Sequence, residues 1–317
     1  MAILIGVDEA GYGPNLGPLV VAATAWRIEA EPADLQSVDL YDVLSGVVSP
    51  APESGRIAVA DSKKLYQPGG GLETLERAVL ALHGPEVASW SKLIKALSAD
   101  PNERITDVPW YEGYDPRLPL AANTEEIDEA RELLRGARDR CEFVAASARL
   151  VFPAEFNALT ERWGTKGAAL SHTTLELVST LIRNTTSPTA DCPSPTHCIC
   201  DKHGGRNRYA ALLQHHFPDH WIETLDESRA SSRYRLGDLS FEFCTGGESH
   251  LPVAWGSMTA KYLRELAMKA FNAYWAEQVP GVKPTAGYPV DAKRFKSDIT
   301  EKQAELGVAD GILWRSR

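Results

Sequence analysis

Residues 2–7 are an apolar run with the length of a buried strand, and the run ends on two adjacent carboxylates, Asp8 and Glu9. Fold stability gives no reason to set two like charges side by side at such a place. A hard divalent cation removes the repulsion, because carboxylate oxygen is what Mg2+ and Mn2+ prefer. The acids lead into Ala10-Gly11-Tyr12-Gly13-Pro14-Asn15-Leu16-Gly17-Pro18. Small residues there let a ligand approach the turn closely and leave backbone amides free to donate. The pattern is not a dinucleotide fingerprint: the third glycine is misplaced and the prolines interrupt any helix. It also lacks the Gly-Lys-Ser/Thr of a phosphate-binding loop. Taken alone, an acid pair at a strand end also fits plain exposure to solvent.

Beyond the turn, residues 19–28 read as a second strand and 56–60 as a third. Helical spacing covers 72–82 and 89–97. Residues 98–123 are rich in Pro, Tyr, Trp and Asp without a clear period and read as an irregular insertion. A charged amphipathic helix is expected over 124–138, capped by Asn123 or Thr124. A strand over 143–152, helices over 153–163 and 168–183, and a Thr/Ser/Pro-rich loop follow. The loop delivers the chain to a strand at 197–201 that ends on Asp201. Residues 206–216 read as helix, and 221–225 and 239–243 as short strands. The clearest element is a helix over 252–277. Trp255, Met258, Tyr262, Leu266, Ala270 and Ala273 form its apolar stripe, and Ser257, Lys261 and Glu265 lie four apart on a separate line. There is no internal repeat and no linker that forces a boundary, so a single domain over 1–317 is expected, of α/β class with a mixed sheet.

The chain has 317 residues, 43 acids against 33 bases and a net charge of −10, with the whole excess inside residues 1–150. Residues 151–317 are neutral. With 44% hydrophobic residues and no run near the roughly 20 needed to span a bilayer, the composition excludes disordered, collagen-like and membrane-spanning classes. The start lacks a basic n-region, so no signal peptide is expected. An acidic total argues against sequence-independent nucleic-acid binding, which rests on Lys and Arg. The five cysteines are odd in number and scattered, which points to a reducing cytoplasm rather than a disulfide framework. His197-Cys198-Ile199-Cys200-Asp201-Lys202-His203 invites a zinc reading, but no second Cys/His pair stands at zinc-ribbon spacing. Cys198 and Cys200 are expected to be buried thiols on one strand face.

Asp8-Glu9-Ala10-Gly11-Tyr12-Gly13-Pro14-Asn15-Leu16-Gly17-Pro18 resembles the opening signature of the ribonuclease HII and ribonuclease HIII family. Asp61-Ser62-Lys63-Lys64-Leu65 resembles the family's Asp-Ser-Lys-Lys-Leu segment. Residues 153–160, with Asn157, resemble its helix carrying a substrate-contacting Asn. Cys198-Ile199-Cys200-Asp201 resembles the strand that ends in an acidic ligand. The run from Glu248 through Ser257 and Lys261 to Arg264-Glu265 resembles its Ser-x-x-Ala-Lys-x-x-Arg-Asp helix, and Gly287-Tyr288-Pro289 its late Gly-Tyr-Pro. The resemblance implies a ribonuclease H-like fold, a central mixed sheet flanked by helices, enlarged by insertions near 86–122 and 228–245. It implies hydrolysis of the RNA strand of RNA–DNA hybrids or other RNA-containing duplexes by a two-metal mechanism using Mg2+ or Mn2+, leaving 5′-phosphate and 3′-hydroxyl ends. Carried over by residue, the metal ligands are Asp8, Glu9, Asp201 and Glu265. The substrate contacts are Gly11, Tyr12, Gly13, Ser62, Lys63, Lys64, Asn157 and Lys261. The family has Arg where Tyr12 stands and Asp where Glu265 stands. These two departures keep two other readings in view: a non-catalytic nucleic-acid-binding relative, and a metal nuclease of the same fold acting on another structured nucleic acid.

Overall fold

A computed structural model describes residues 1–31, 34–66, 70–98, 108–185 and 194–316. Among them the strands are β1 (Ala2–Ala10), β2 (Leu19–Ile28), β3 (Val48–Ser49), β4 (Ile57–Ala58), β5 (Cys141–Val151), β6 (Thr196–Asp201), β7 (Glu223–Glu227), β8 (Ser231–Leu236) and β9 (Leu239–Cys244). The helices are α1 (Leu40–Val43), α2 (Ser62–Leu65), α3 (Glu73–Ala81), α4 (Trp90–Leu97), α5 (Thr124–Gly136), α6 (Pro153–Trp163), α7 (Lys166–Thr185), α8 (Ala210–His216), α9 (Leu251–Gln278), α10 (Pro289–Glu305) and α11 (Asp310–Leu313).

Seven strands make one sheet in the order β5-β2-β1-β6-β9-β8-β7, and β3 pairs with β4 apart from it. β1 runs antiparallel to β2 and parallel to β6, which is in turn parallel to β9. The sheet is therefore mixed, with helices on both faces, as the resemblance implies. The two faces are legible in β1, whose side chains alternate across the sheet. Ile3, Ile5 and Val7 join Phe156 of α6, Leu177 of α7 and Leu213 of α8 in one core. Leu4 joins Leu75 and Val79 of α3 and Trp255 and Met258 of α9 in the other. Cys198 and Cys200 of β6 are fully buried in the first core as free thiols, and burial pushes both thiol pKa values up.

The helix read from its apolar stripe, α9, is buried on all sides from Leu251 to Ala260. It lies against β1 and β2, and Gly6 permits the contact: a Cβ there would stand 2.1 Å from the Val253 amide nitrogen and 2.2 Å from the Pro252 carbonyl carbon.

Two segments differ from expectation. Residues 228–245, expected as an insertion with a short strand over 239–243, supply both β8 and β9, and β9 pairs along the whole of β6 from Thr196↔Leu239 to Asp201↔Cys244. They are integral to the sheet, because β6 would otherwise be an open edge. In the other expected insertion, residues 99–107 lie outside the described residues. The remainder carries α4 and a 3-10 turn at Pro109–Tyr111 whose Trp110 packs edge-on against Phe271 of α9, with ring centroids 5.1 Å apart. α10 is not among the elements expected from the sequence, although Ala292, Phe295, Ile299 and Gln303 form its buried stripe.

Candidate active site

Parallel pairing of β1 with β6 ends at Val7↔Cys200, and one step further on the two strands stand Asp8 and Asp201. Both acids thus emerge at the carboxyl ends of adjacent parallel strands, where α/β sheets form their ligand crevices. A third carboxylate reaches the same point from a 3-10 turn, Gly247–Ser249, that precedes α9. Carboxylate oxygens of Asp8, Asp201 and Glu248 all lie within 4.8 Å of one another. The turn is held to β6 by the Gly247 amide, which donates to Asp201 Oδ1 (3.2 Å). A side chain at Gly247 would press on the Asp201 backbone at 3.3 Å.

The electrostatics of the cluster follow from crowding acids where water is scarce. Burial, and then the Glu9 charge, hold the Asp8 carboxyl well above the usual carboxylate range, against the opposing hydrogen bond from Ser257 and the Glu9 amide (2.7 Å). Burial and the Asp201 charge push Glu9 up to about 7, with Lys63 pulling the other way. Lys63 Nζ lies 3.7 Å from Glu248 Oε1. Although partial burial opposes it, the surrounding Asp61, Asp8, Glu248 and Asp201 hold the Lys63 ammonium above its ordinary value. Four carboxyl groups face the exposed Lys63 ammonium, and the upward shifts of Asp8 and Glu9 reflect the burial and crowding of like charge among them. This all-oxygen donor set fits a hard divalent cation.

Glu265 does not join this group. Its Oε1 accepts from Lys261 Nζ (2.5 Å) and its Oε2 from the Tyr66 hydroxyl (2.9 Å). The reason is the register of α9 on β1. A Cβ on Gly6 would meet Pro252 and Val253, one on Gly256 would lie 3.4 Å from the Asp8 amide, and Ser257 bonds Asp8. Glu265 is eight residues past Ser257, about 12 Å along the helix, which is beyond the reach of its side chain. Lys261, whose Nζ also sits 4.6 Å over the Tyr66 ring, goes with Glu265 and not with the acids. Glu248, and not Glu265, is the carboxylate that the fold brings to Asp8 and Asp201. Its signal in the sequence was an acid between Gly246-Gly247 and the Pro252-led start of α9. Asp238, at the β8–β9 turn, is at the opposite end of β6, where its carbonyl accepts from the Thr196 amide.

The other expected contacts divide. Lys63 and Lys64 are exposed on α2, beside the acids through Lys63. Ser62 is buried and bonded to Ser257 (3.1 Å), so it docks α2 on α9. The Asn157 amide is committed to the C-terminal segment: it donates to the Trp314 carbonyl (2.9 Å) and accepts from the Ser316 amide (2.6 Å). In the glycine turn, Gly11 has φ +86°, Gly13 is exposed, and the Tyr12 ring lies under Lys166 Nζ at 4.7 Å. Two buried guanidinium groups support this turn. Arg315 Nη2 donates to the Gly11 carbonyl (2.6 Å), and Arg264 Nη2 to the Leu16 carbonyl (3.4 Å). His203 and Lys202, which follow Asp201, are both buried; His203 bonds Ser171 (3.0 Å), and Lys202 Nζ donates to Asn207 and to the Ser228 carbonyl.

No protein-family profile and no curated protein matches the chain. Among solved structures it is similar to the ribonuclease H2 of Pyrococcus horikoshii OT3, with 16% identity, 98% of this chain and 92% of that one covered, and a TM-score of 0.45. It is also similar to a chain of the PCNA:RNase HII complex of Archaeoglobus fulgidus, with 17% identity, 99% and 94% covered, and a TM-score of 0.43. A third similar structure is Bst-RNase HIII in complex with Mn2+, with 15% identity, 99% of this chain and 66% of that one covered, and a TM-score of 0.40. No helix among the described residues is long and apolar enough to cross a membrane.

Proposed function

We propose that this protein is a divalent-metal-dependent endoribonuclease that hydrolyses the RNA strand of RNA–DNA hybrids or RNA-containing duplexes, leaving 5′-phosphate and 3′-hydroxyl ends. The observation that carries the reading is the convergence of Asp8, Asp201 and Glu248, with Glu9 beside them, at the end of β1 and β6. The substrate class rests on the sequence resemblance of the Asp8–Pro18 turn and of the helix carrying Ser257 and Lys261. Asp8, Glu9, Asp201 and Glu248 would hold Mg2+ or Mn2+. Bound there, a pair of such ions supplies an activated water and stabilises the leaving 3′-oxygen.

The chain's own groups do the rest. The acids would be engaged as metal ligands and not as nucleophiles, so the attacking group is water. Lys63, exposed and next to Glu248, meets the phosphate that approaches the acids. The Gly11–Gly13 turn, fixed from beneath by Arg315, presents backbone amides to the sugar–phosphate chain. Tyr12 carries no charge to a phosphate and offers its ring face instead. The work takes place in the cytoplasm, where the free thiols of the described cysteines persist.

The test is a metal-titrated cleavage assay on an RNA–DNA hybrid, a duplex with a single ribonucleotide, plain DNA and plain RNA. Cleavage confined to the first two, and lost in Asp8→Asn and Asp201→Asn variants that keep their circular dichroism, is the expected result. Binding to duplex without cleavage of any substrate would give the reading to the non-catalytic alternative. Cleavage of plain DNA or RNA alone would give it to a nuclease of different substrate.

A further inference from the structure

A second cluster of metal-ligating side chains lies outside the acidic site. His172 of α7 and the consecutive His215 and His216 at the last turn of α8 each offer one ring nitrogen, all within 4.8 Å of one another. The His172 ring stacks on Trp163 at 3.5 Å and 13°, and its Nδ1 is 3.0 Å from His216 Nε2. The ring centroids of His215 lie 5.1 Å from His172 and 5.0 Å from His216.

Packing alone accounts poorly for this arrangement. A hydrogen bond between two imidazoles needs a protonated nitrogen on one ring and a free lone pair on the other, so protonation of both rings breaks it. Burial, with the neighbouring His215, Arg206 and Arg162, holds His172 down to about 4, and burial with His172 and His215 holds His216 at about 4. Trp163 fixes the plane of one ring, while His215 is exposed and leaves one side open to solvent.

We propose that His172, His215 and His216 form a binding site for a late first-row divalent cation such as zinc, tying the end of α8 to α7. Three imidazoles are a borderline-soft set that selects zinc, nickel or copper over magnesium. Zn–N bonds of about 2.0–2.1 Å put tetrahedral ligand atoms about 3.4 Å apart, so the rings need only small side-chain rotations to close. The fourth position faces solvent beside His215 and takes water or an anion, the latter favoured by the Arg162 and Arg206 charges near His172. The site shares no residue with the acidic cluster and does not depend on the nuclease reading.

Equilibrium dialysis of the chelator-stripped full chain against zinc, in excess Mg2+ to occupy the carboxylates, tests the proposal. One zinc per chain is expected, retained in the Asp8→Asn/Asp201→Asn double variant. His172→Ala and His215→Ala each lower zinc affinity by at least about 100-fold, more than the 10–100-fold typical of losing an outer-sphere partner. His215 is exposed, so its variant keeps the fold and the result stays interpretable. Absence of zinc from the wild type, equal binding by the histidine variants, or loss of zinc in the double aspartate variant would each overturn the site.

Discussion

At the scale of single residues, the acidic cluster turns on Glu248 and Glu265, which flank the first half of the same helix. Glu248 shares a point in space with Asp8 and Asp201, whereas Glu265 is engaged by Lys261 and Tyr66. Glu248→Gln is therefore expected to lower turnover by at least about 100-fold, in the range of a lost metal ligand or transition-state donor. Glu265→Gln should stay within a few-fold of wild type. A single-turnover assay on the hybrid checks both, and a reversed order would return Glu265 to the site. Asp8, Glu9 and Asp201 were legible in the sequence because they follow directly on apolar runs of strand length. Glu248 was not, because its neighbours along the chain form a turn with no periodicity. Asn157 shows the converse: its helix is plain from the sequence, but its amide faces Trp314 and Ser316, a contact made across more than 150 residues.

At the scale of elements, the site depends on how α9 lies on β1. Gly6→Ala places a methyl within 2.1–2.2 Å of the α9 backbone, and backbone cannot rotate away as a side chain tip can. A loss of at least about 3 kcal/mol is expected, read as a lower urea midpoint, together with weakened activity as Ser257 withdraws from Asp8. A midpoint within error of wild type would show that α9 can shift without cost. Elsewhere on α9, the Tyr262 hydroxyl donates to Glu76 of α3 (2.5 Å). Glu76 also accepts from the amides of Leu120 (2.7 Å), Ala121 (2.6 Å) and Ala122 (2.8 Å). This one buried carboxylate joins α3, α9 and the segment leading into α5. Glu76→Ala leaves three amides and a hydroxyl without their acceptor, and about 3–5 kcal/mol of stability should go with it. Chemical denaturation measures the loss; a change below about 1 kcal/mol would mean that water replaces the carboxylate. The helix itself was plain from its spacing, but nothing local marked Glu76 as its buried anchor.

At the scale of the whole molecule, acid sensitivity follows from histidines held neutral inside. Burial, with the Arg131 charge, holds His83 at about 4, and burial holds His197 at about 4 despite Glu242. In the unfolded chain both rings take up a proton near 6.5. Their contribution is therefore complete above about pH 6.5 and falls away as the pH drops toward 4, by about 3 kcal/mol for each ring. Urea midpoints at pH 7.5, 6 and 5 should decline in that order, and His83→Leu should flatten the decline. A pH-independent midpoint across this window would contradict the neutral burial of these rings.

The sequence by itself determined the elements whose signal is local. The run into Asp8 and Glu9, the strand ending at Asp201 and the apolar stripe of α9 each follow from periodicity or from a breaker within a few residues. So did the α/β class, because strands and helices alternate along the chain. Tertiary structure decided which of these pieces meet. Residues 239–243 read as strand from sequence, but their pairing with β6, and that of β8 beyond them, is set by which strand edge they meet in the sheet. Glu248 rather than Glu265 reached Asp8 because Gly6 sets where α9 rests, and about two helical turns separate Glu265 from Ser257, the α9 residue that bonds Asp8. Side-chain convergence is a property of docked elements, and the distances that create it are absent from the order of residues along the chain.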